Sequence, residues 1–332
     1  PEDAKDYDDA VSLEKDGHGG LVLGVHIADV SAYVREGTAL DKEARGRGTS
    51  VYLPTCVLPM LPERISNGMC SLKEAEDRLT KTVLFHCTEK AEVKKVEIFP
   101  SVIRSVKRMT YGEVLKIITE KNPEVPADVR PLVPMLHHMA ALAREFHHIR
   151  VRRGSIMLNI PKVKVVLDAD YRAIGVKKEE QDEAHSLIEE FMLLANEAVA
   201  GHICNANRPG IFRVHEPPDK QSFEEFAVFA RGLGYQVHTQ DISVHEIQNL
   251  LERVKDKPEE PIICINLLRS MKLAVYGNKN MGHFALALKF YTHFTSPIRR
   301  YPDLIVHRIL DQMWAQKHGG NAGAPPEDQQ VH

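Results

Sequence analysis

Apolar and polar positions along the first hundred residues follow the spacing of β-strands. The run LVLGVHI, Leu21 to Ile27, is almost wholly apolar and predicts a buried strand. Alternation in VKKVEIF, residues 93–99, predicts a strand with one exposed face. Prolines punctuate VYLPTCVLPMLPERIS, residues 51–66, and predict an ordered loop. This part of the chain is therefore predicted to be mainly β.

Later segments change to the apolar spacing of amphipathic helices. Ser243 and Glu246 have the spacing of a capping box at the start of one of them, and Pro302 is predicted to open a further helix. The combination predicts a mixed α/β (α+β) fold. From Gly319 the tail is rich in Gly, Pro and polar residues, so we expect one domain over 1–318 and a flexible linker over 319–332. The predicted helices are 131–150, 182–205, 222–233 and 243–255.

Composition places the 332-residue chain among ordinary globular proteins, with 43% hydrophobic and 27% charged residues. No apolar run approaches the length of a membrane span, and no leader sequence is evident, so we expect a cytoplasmic protein. The five cysteines are odd in number, scattered and never in a CxxC pair, which predicts reduced thiols without disulfides. The net charge of −3 argues against uniform coating of nucleic acid but allows a locally basic channel.

Three aspartates, Asp6, Asp8 and Asp9, stand within four residues of the opening run PEDAKDYDDA. Carboxylate oxygens are the hard ligands that Mg²⁺ and Mn²⁺ prefer. In an extended segment Asp6 and Asp8 share one face and Asp9 lies on the other, so two of them can reach one cation. The alternative is a solvated acidic end of the chain.

The segment YTHFTSPIRRYPDL places Arg299 and Arg300 beside the helix that Pro302 is predicted to open. A helix N-terminus and a guanidinium both favour phosphate oxygens, although the arginines could instead pair with Asp303. With the aspartates they make up a phosphoryl-transfer site, in which cations activate water and an arginine holds charge on phosphorus. The sequence contains no GxSxG, Walker or GxGxxG motif, so hydrolysis of a phosphodiester is the reaction it predicts.

Seven segments in order along nearly the whole chain resemble the catalytic (RNB) domain of the ribonuclease II and ribonuclease R family, closer to ribonuclease R. The resemblance implies a Mg²⁺-dependent exoribonuclease that degrades single-stranded RNA from its 3′ end to nucleoside 5′-monophosphates. It also implies a β-sheet core flanked by helices around a single-strand channel, and flanking cold-shock and S1 domains. The segments are DAKDYDDAV, HIADVSAYV, RGTSVYLP, PMLPERISNGMCSL, AHSLIEEFMLLANEAVA, FRVHEPPD and HFALALKFYTHFTSPIRRYPDLIVHR.

The resemblance assigns catalytic roles at both ends of the chain. Asp6, Asp8 and Asp9 match three of the family's four clustered aspartates, with Asp9 holding Mg²⁺ most directly. The family's other aspartate would stand immediately before the first residue of this sequence. Arg299 matches the arginine that stabilises the scissile phosphate, and Arg300 is expected to contact RNA.

Three further positions are implied to contact RNA. Tyr52 matches the tyrosine that stacks on terminal bases and sets the length of the last short product. Glu190 matches a carboxylate near the 3′-terminal nucleotide, the alternative being a surface carboxylate on a helix. Leu158 stands where the family often has a phenylalanine, and it cannot stack as an aromatic ring does.

Two other functions remain open on the sequence alone. One is a catalytically inactive RNA-binding module that keeps the channel. The other is a metal-dependent phosphodiesterase that acts on DNA or on a small nucleotide.

Overall fold

The computed structural model describes residues 4–17, 19–160, 162–168, 170–179, 182–239, 242–319 and 330–331. The chain divides into two compact units, although no shift in composition along the sequence marks a boundary between them. Unit 1 comprises Pro1–Phe146, Asp182–Ile211 and Thr292–His332, and unit 2 comprises His147–Gln181 and Phe212–Tyr291. Residues 320–329 and 332 of the expected linker lie outside the described residues, so a flexible tail after residue 318 stays a prediction.

A five-stranded sheet forms the centre of unit 1, in the order β1-β2-β5-β6-β11. The strands are β1 (Asp9–Lys15), β2 (Leu21–Ala28), β3 (Val51–Tyr52), β4 (Val57–Leu58), β5 (Asp77–Cys87), β6 (Val93–Arg104), β7 (Lys162–Leu167), β8 (Ala173–Glu179), β9 (Phe212–Val214), β10 (Val275–Gly277) and β11 (Gln330–Val331). β1, β2, β5 and β6 are antiparallel neighbours, and β11 pairs in parallel with β6. β2 and β6 confirm the two predicted strands.

The predicted loop over residues 51–66 is only partly a loop. β3 and β4 pair as an antiparallel ribbon, with Val51 opposite Leu58, and residues 64–69 form a π-helical turn. The ribbon forms because Pro54 stands in its turn, where Leu53 N–H donates to the Cys56 carbonyl at 2.9 Å. Short strands between closely spaced prolines leave too few residues for an alternation signal.

The helices are α1 (Ala39–Arg47), α2 (Tyr111–Thr119), α3 (Val133–Arg153), α4 (Glu183–Asn205), α5 (Lys220–Gly232), α6 (Val244–Val254), α7 (Glu260–Ser270) and α8 (Tyr301–His318). Five of the helices lie close to predicted ones, whereas α1, α2 and α7 were not predicted. The helix and strand content confirms the mixed α/β fold. The expected capping box of α6 differs, because Ser243 accepts from His245 N–H, whereas Glu246 accepts from His238 N–H at 3.1 Å.

Each unit has its own hydrophobic core. In unit 1, Ala28 and Val30 at the end of β2 pack with Met60, Ile298 and Leu304, all nearly or fully inaccessible to solvent. Burial of each such large apolar side chain contributes about 1.5–3 kcal/mol. This core fixes the start of α8 against the end of β2, which is where the candidate site lies. The core of unit 2 includes Phe223, Phe226, Ile247, Leu250 and Ile263.

Two further features bear on the sequence expectations. Within the ranges that the structure describes, no helix is both long and apolar enough to cross a membrane. All five cysteines are free thiols, and of these Cys56 is exposed.

Candidate active site

The aspartate segment is held in an extended conformation beside β2. Asp9 begins β1 opposite Ile27, and the Asp8 carbonyl accepts from Ala28 N–H at 2.8 Å. On the other side, Tyr7 N–H donates to Ser71 Oγ at 3.1 Å. Because side chains alternate along an extended segment, Asp8 points away from the face on which Asp9 lies.

Asp8 joins this segment to the SPIRR segment, Ser296 to Arg300. Its side chain is buried, with 5% of the residue exposed, and Oδ1 accepts from the backbone N–H of Ile298 at 2.9 Å. Oδ2 lies 3.8 Å from Nε of Arg299. Burial raises the pKa of Asp8 well above its ordinary value, although the hydrogen bond from Ile298 and the charge of Arg299 oppose that rise. The aspartate segment and residues 298–299 therefore meet at one carboxylate.

Asp9 and Asp6 are half-buried on either side of Asp8. Burial raises the pKa of Asp9, and the positive charge of Arg299 again acts in the opposite direction. Asp6 accepts a hydrogen bond from the hydroxyl of Tyr52 at 3.3 Å. Arg299 is thus electrostatically close to both Asp8 and Asp9.

The Tyr52 ring lies at the edge of this cluster and 53% of the residue is exposed. Its pKa is raised to about 12, by partial burial first and then by the negative charge of Asp6. The segment before Tyr52 is tied to the arginines, because Ser50 N–H donates to the Arg299 carbonyl at 3.0 Å. An exposed aromatic face beside carboxylates can stack on an unpaired base.

The two arginines have different surroundings. Arg300 forms a bidentate ion pair with Asp303, through Nε–Oδ2 and Nη2–Oδ1 distances of 2.9 and 2.7 Å. Asp303 is fully buried and also accepts from Ser296 N–H at 2.8 Å. The alternative that the sequence left open, pairing with Asp303, therefore holds for Arg300, and its contact with RNA stays a prediction.

Arg299, in contrast, keeps a side chain that is 43% exposed. Its Nη2 donates to Ser296 Oγ at 3.0 Å, and its Nε faces Asp8 across 3.8 Å. That distance is longer than a charge-assisted hydrogen bond, so the guanidinium retains donors for another anion. Of the two predicted arginines, Arg299 is the one suited to a phosphate.

Glu190 is not a surface carboxylate. It lies in α4 in unit 1 with only 4% of the residue exposed, so the surface alternative was wrong. Leu158 lies in unit 2, where it is partly buried and packs against the core formed by residues such as Phe223. Nothing within the described structure assigns either residue a contact with RNA, and both assignments stay predictions.

Tyr111 is a site residue that the sequence reasoning missed. It is the first residue of α2, and its ring stacks on His185 with 3.8 Å between the ring centroids. Burial raises its pKa, with a further rise from the charge of Asp9 and a lowering by Arg299, which places it within electrostatic reach of the site. A capping box of Thr110 with Glu113 was the local signal, since it fixes where α2 begins.

The carboxylate oxygens of Asp6, Asp8 and Asp9 are ligands that suit a magnesium ion, but they do not by themselves fill its coordination sphere. Among the residues that the structure describes, which begin at residue 4, no three or more His, Cys, Asp or Glu side chains converge to hold a metal. Mg²⁺ is commonly bound through only one or two carboxylates, with water and substrate phosphate supplying the rest. Burial disfavours charge on Asp8 and Asp9, and a divalent cation would offset that cost. The donor set therefore suits Mg²⁺ or Mn²⁺.

Comparisons with known proteins match nearly the whole chain. Residues 1–316 match the RNB domain family. Ribonuclease R of Thermotoga maritima is 44% identical over 320 residues, which are 96% of this chain and 45% of the relative. The chain thus spans less than half the length of this curated relative.

Solved structures show the same fold. Mycoplasma genitalium RNase R in complex with ribose methylated single-stranded RNA has a TM-score of 0.91 at 32% identity, covering 96% of this chain and 50% of that one. The same enzyme in complex with double-stranded RNA has a TM-score of 0.90 at 32% identity, covering 96% and 57%.

Proposed function

We propose that this chain, which belongs to the RNB domain family as its seven segments predicted, is the catalytic part of a 3′-to-5′ exoribonuclease. Its substrate is single-stranded RNA and its products are nucleoside 5′-monophosphates. The observation that carries the proposal is the meeting of Asp8 with Ile298 and Arg299, at 2.9 and 3.8 Å. Catalytic carboxylates and a phosphate-binding guanidinium are thereby within reach of one phosphodiester.

Asp6, Asp8 and Asp9 would hold Mg²⁺, or Mn²⁺, in this proposal. When bound, the cation supplies charge that polarises the phosphate and eases deprotonation of the attacking water. The hydrogen bond from Ile298 fixes one oxygen of Asp8, so that the other oxygen faces the site. Asp8 and Asp9, whose ionised forms are disfavoured by burial, gain most from a nearby cation.

Arg299 acts on the phosphate itself. As the water oxygen bonds to phosphorus, the bond from phosphorus to the 3′ oxygen of the preceding nucleotide breaks, and that oxygen ends with a proton. Negative charge builds up on the other phosphate oxygens during this step, and the partly exposed guanidinium is placed to donate to them. Ser296, which accepts from Nη2 at 3.0 Å, limits the orientations that the guanidinium can adopt.

The proposed substrate contacts begin with Tyr52, whose ring is exposed at the edge of the cluster. Tyr52 supplies a ring for stacking on a terminal base, and stacking of this kind is worth about 1–3 kcal/mol per base. We include three further contacts in the proposal. Glu190 lies near the 3′-terminal nucleotide, Leu158 takes the position of a stacking ring, and Arg300 contacts RNA. Relatives solved with RNA support this class of substrate. A single-strand channel, flanking cold-shock and S1 domains in the whole protein and a cytoplasmic location belong to the same proposal.

The rival function is an inactive RNA-binding module. The observation in its favour is that the described residues contain no group of three metal-ligating side chains. The two functions differ in one property, which is chelator-sensitive release of mononucleotides.

The test is digestion of single-stranded RNA that carries radioactive phosphorus in its 3′-terminal phosphodiester. We expect the label to appear in a nucleoside 5′-monophosphate when Mg²⁺ is present and to stay in the oligomer when a chelator is added. A matched DNA oligomer should remain intact, whereas equal cleavage of DNA would favour a general phosphodiesterase. RNA that binds but is never cleaved would establish the inactive module.

A further inference from the structure

Unit 1 contains a second cluster of charged side chains, which the reaction described above does not use. Lys81 of β5 is almost fully buried, with 2% of the residue exposed. Its Nζ lies 2.9 Å from Oδ2 of Asp29 and 2.5 Å from Oδ1 of Asp311. The hydroxyl of Ser31 lies 2.5 Å from Asp29 Oδ1 and 2.7 Å from Asp311 Oδ2. We call these four residues the Lys81 cluster.

The Lys81 cluster ties helix α8 to the central sheet. Asp29 directly follows β2, Lys81 lies in β5, and Asp311 lies in the middle of α8. The sheet therefore holds α8 through a lysine that forms ion pairs with one carboxylate next to β2 and one carboxylate on α8. The charge-assisted hydrogen bonds between these groups are short and directional, so they restrict where the helix lies along the sheet.

The same sheet and the same helix segment meet a second time at the candidate active site. Ala28, the last residue of β2, donates its N–H to the Asp8 carbonyl at 2.8 Å, and Asp29 is the residue that follows. Asp8 in turn accepts from Ile298 N–H, three residues before α8 begins. The Lys81 cluster therefore joins the sheet to α8 itself, and the Asp8–Ile298 contact joins the residue before β1 to the segment that leads into α8.

Net stability does not explain why these charges are buried. Desolvation of buried ions costs about as much as their attraction returns, and apolar replacements of similar volume are often neutral or stabilising. What an apolar contact does not supply is direction, because packing of methyl groups tolerates sliding of a helix more readily than an ion pair does. Arg299 stands two residues before α8, so sliding of α8 would move its guanidinium relative to Asp8.

We propose that Lys81 is a positioning residue: by bridging Asp29 and Asp311 it sets the place of α8, and so the place of Arg299 beside Asp8. The inference rests on the proposed function in one respect, namely that Arg299 acts on the scissile phosphate. Lys81 itself touches neither RNA nor the aspartate cluster in this account. Its loss therefore changes the rate of the chemical step rather than the binding of substrate.

The first test is Lys81→Met, which keeps most of the length of the side chain and removes its charge. We expect kcat to fall at least tenfold while KM for single-stranded RNA stays within twofold, since remote substrate contacts are unaltered. Lys95→Met, on an exposed position of β6 in the same sheet, is the matched control and should keep the wild-type kcat. A Lys81→Met variant with wild-type kcat would overturn the proposal.

A neutral triple variant covers the case in which Lys81→Met does not fold, since the single change leaves the buried carboxylate of Asp29 and the partly buried carboxylate of Asp311 without their shared cation. Asp29→Asn with Lys81→Met and Asp311→Asn removes all three charges together, so we expect a folded protein whose kcat is still at least tenfold low. Wild-type kcat in that folded variant would show that the charges have no positioning role.

A measurement that needs no activity separates this inference from the proposed function. The thermal midpoints of the wild type, Lys81→Met, Asp8→Asn and the double variant form a double-mutant cycle. If both sets of contacts position α8, the shift in midpoint of the double variant should differ from the sum of the two single shifts. Additive shifts would overturn the inference. If the wild-type chain cleaves no RNA, the proposed function fails and this cycle alone decides the role of Lys81.

Discussion

Nε of Arg299 lies 3.8 Å from Oδ2 of Asp8, although almost the entire chain separates the two residues in sequence. The backbone N–H of Ile298 donates to the other oxygen of the same carboxylate at 2.9 Å. The contact is therefore made by a side chain and by the backbone next to it. Any shift of the SPIRR segment would disturb both, which makes the spacing between acid and guanidinium a property of the fold.

Arg299→Lys tests the role of the guanidinium. Lysine keeps the charge but loses the planar fork of donors, so we expect kcat to fall by about 10²-fold, as for loss of a transition-state donor elsewhere. Binding of RNA to the variant should change little, as measured by fluorescence anisotropy. Arg104→Lys, an exposed arginine paired with Asp77, is the control. Wild-type turnover by Arg299→Lys would exclude a specific role of the guanidinium.

Asp8→Asn tests the metal site through stability. Because burial disfavours the ionised form of Asp8, the neutral amide should raise the melting temperature of the metal-free protein. The same change should reduce the stabilisation that added Mg²⁺ gives, since one ligand is lost. Asp77→Asn, at an exposed position, should leave the Mg²⁺ effect as it is in the wild type. An unchanged response of Asp8→Asn to Mg²⁺ would remove Asp8 from the metal site.

Tyr52 is expected to determine product length through its ring and not through its hydroxyl. Tyr52→Ala should change the length of the final short oligomer without abolishing turnover, because a stacking surface is lost. Tyr52→Phe keeps the ring and loses only the 3.3 Å hydrogen bond to Asp6, so its product ladder should resemble that of the wild type. Identical ladders on a denaturing gel for all three proteins would count against stacking by Tyr52.

Acid should destabilise the protein through its buried histidines. Burial lowers the pKa of His26 to about 4 and that of His307 to about 3, from an ordinary value of 6.5. Below pH 6.5 the unfolded chain takes up protons that the folded protein does not, so each histidine lowers stability as pH falls towards its folded-state pKa. At pH 5 the loss is about 2 kcal/mol for each, from 1.36 kcal/mol per pH unit.

Urea unfolding of His26→Gln at several pH values checks this prediction. The glutamine can still bond to Ser12 and Thr82, which flank the ring at 3.0 and 2.8 Å, but it does not titrate. Stability of the variant should therefore fall less steeply than that of the wild type between pH 6.5 and pH 5. His137→Gln, at an exposed position of α3, is the control. A slope equal to that of the wild type would show that His26 is not buried in its neutral form.

Local sequence patterns predicted those parts of the fold that local interactions determine. β2 and α4 appear as predicted because a continuous apolar run and a wide apolar stripe each allow one buried arrangement. An extended backbone likewise predicted that the side chains of Asp8 and Asp9 point to opposite faces of the segment. The division into two units left no signal, since unit 2 is built from two separate stretches of chain with ordinary composition.

The surroundings of several site residues depend on tertiary contacts that the sequence does not reveal. Spacing alone does not tell whether an arginine faces a phosphate or a carboxylate, and only the structure pairs Arg300 with Asp303 and leaves Arg299 partly exposed. A surface position for Glu190 was the alternative, because charged residues are seldom buried. In the structure only 4% of Glu190 is exposed. Tyr111 carries no motif of its own, and its place near Asp9 results from folding.

Single-turnover cleavage by Asp9→Asn, measured beside its affinity for RNA, tests the central claim most directly. The substitution removes one negative charge with little change in volume, so RNA labelled in its 3′-terminal phosphodiester should still bind. We predict that the wild-type chain releases labelled nucleoside 5′-monophosphate in Mg²⁺ and that Asp9→Asn releases none on the same time scale. Release at the wild-type rate by Asp9→Asn in saturating Mg²⁺ would contradict the account.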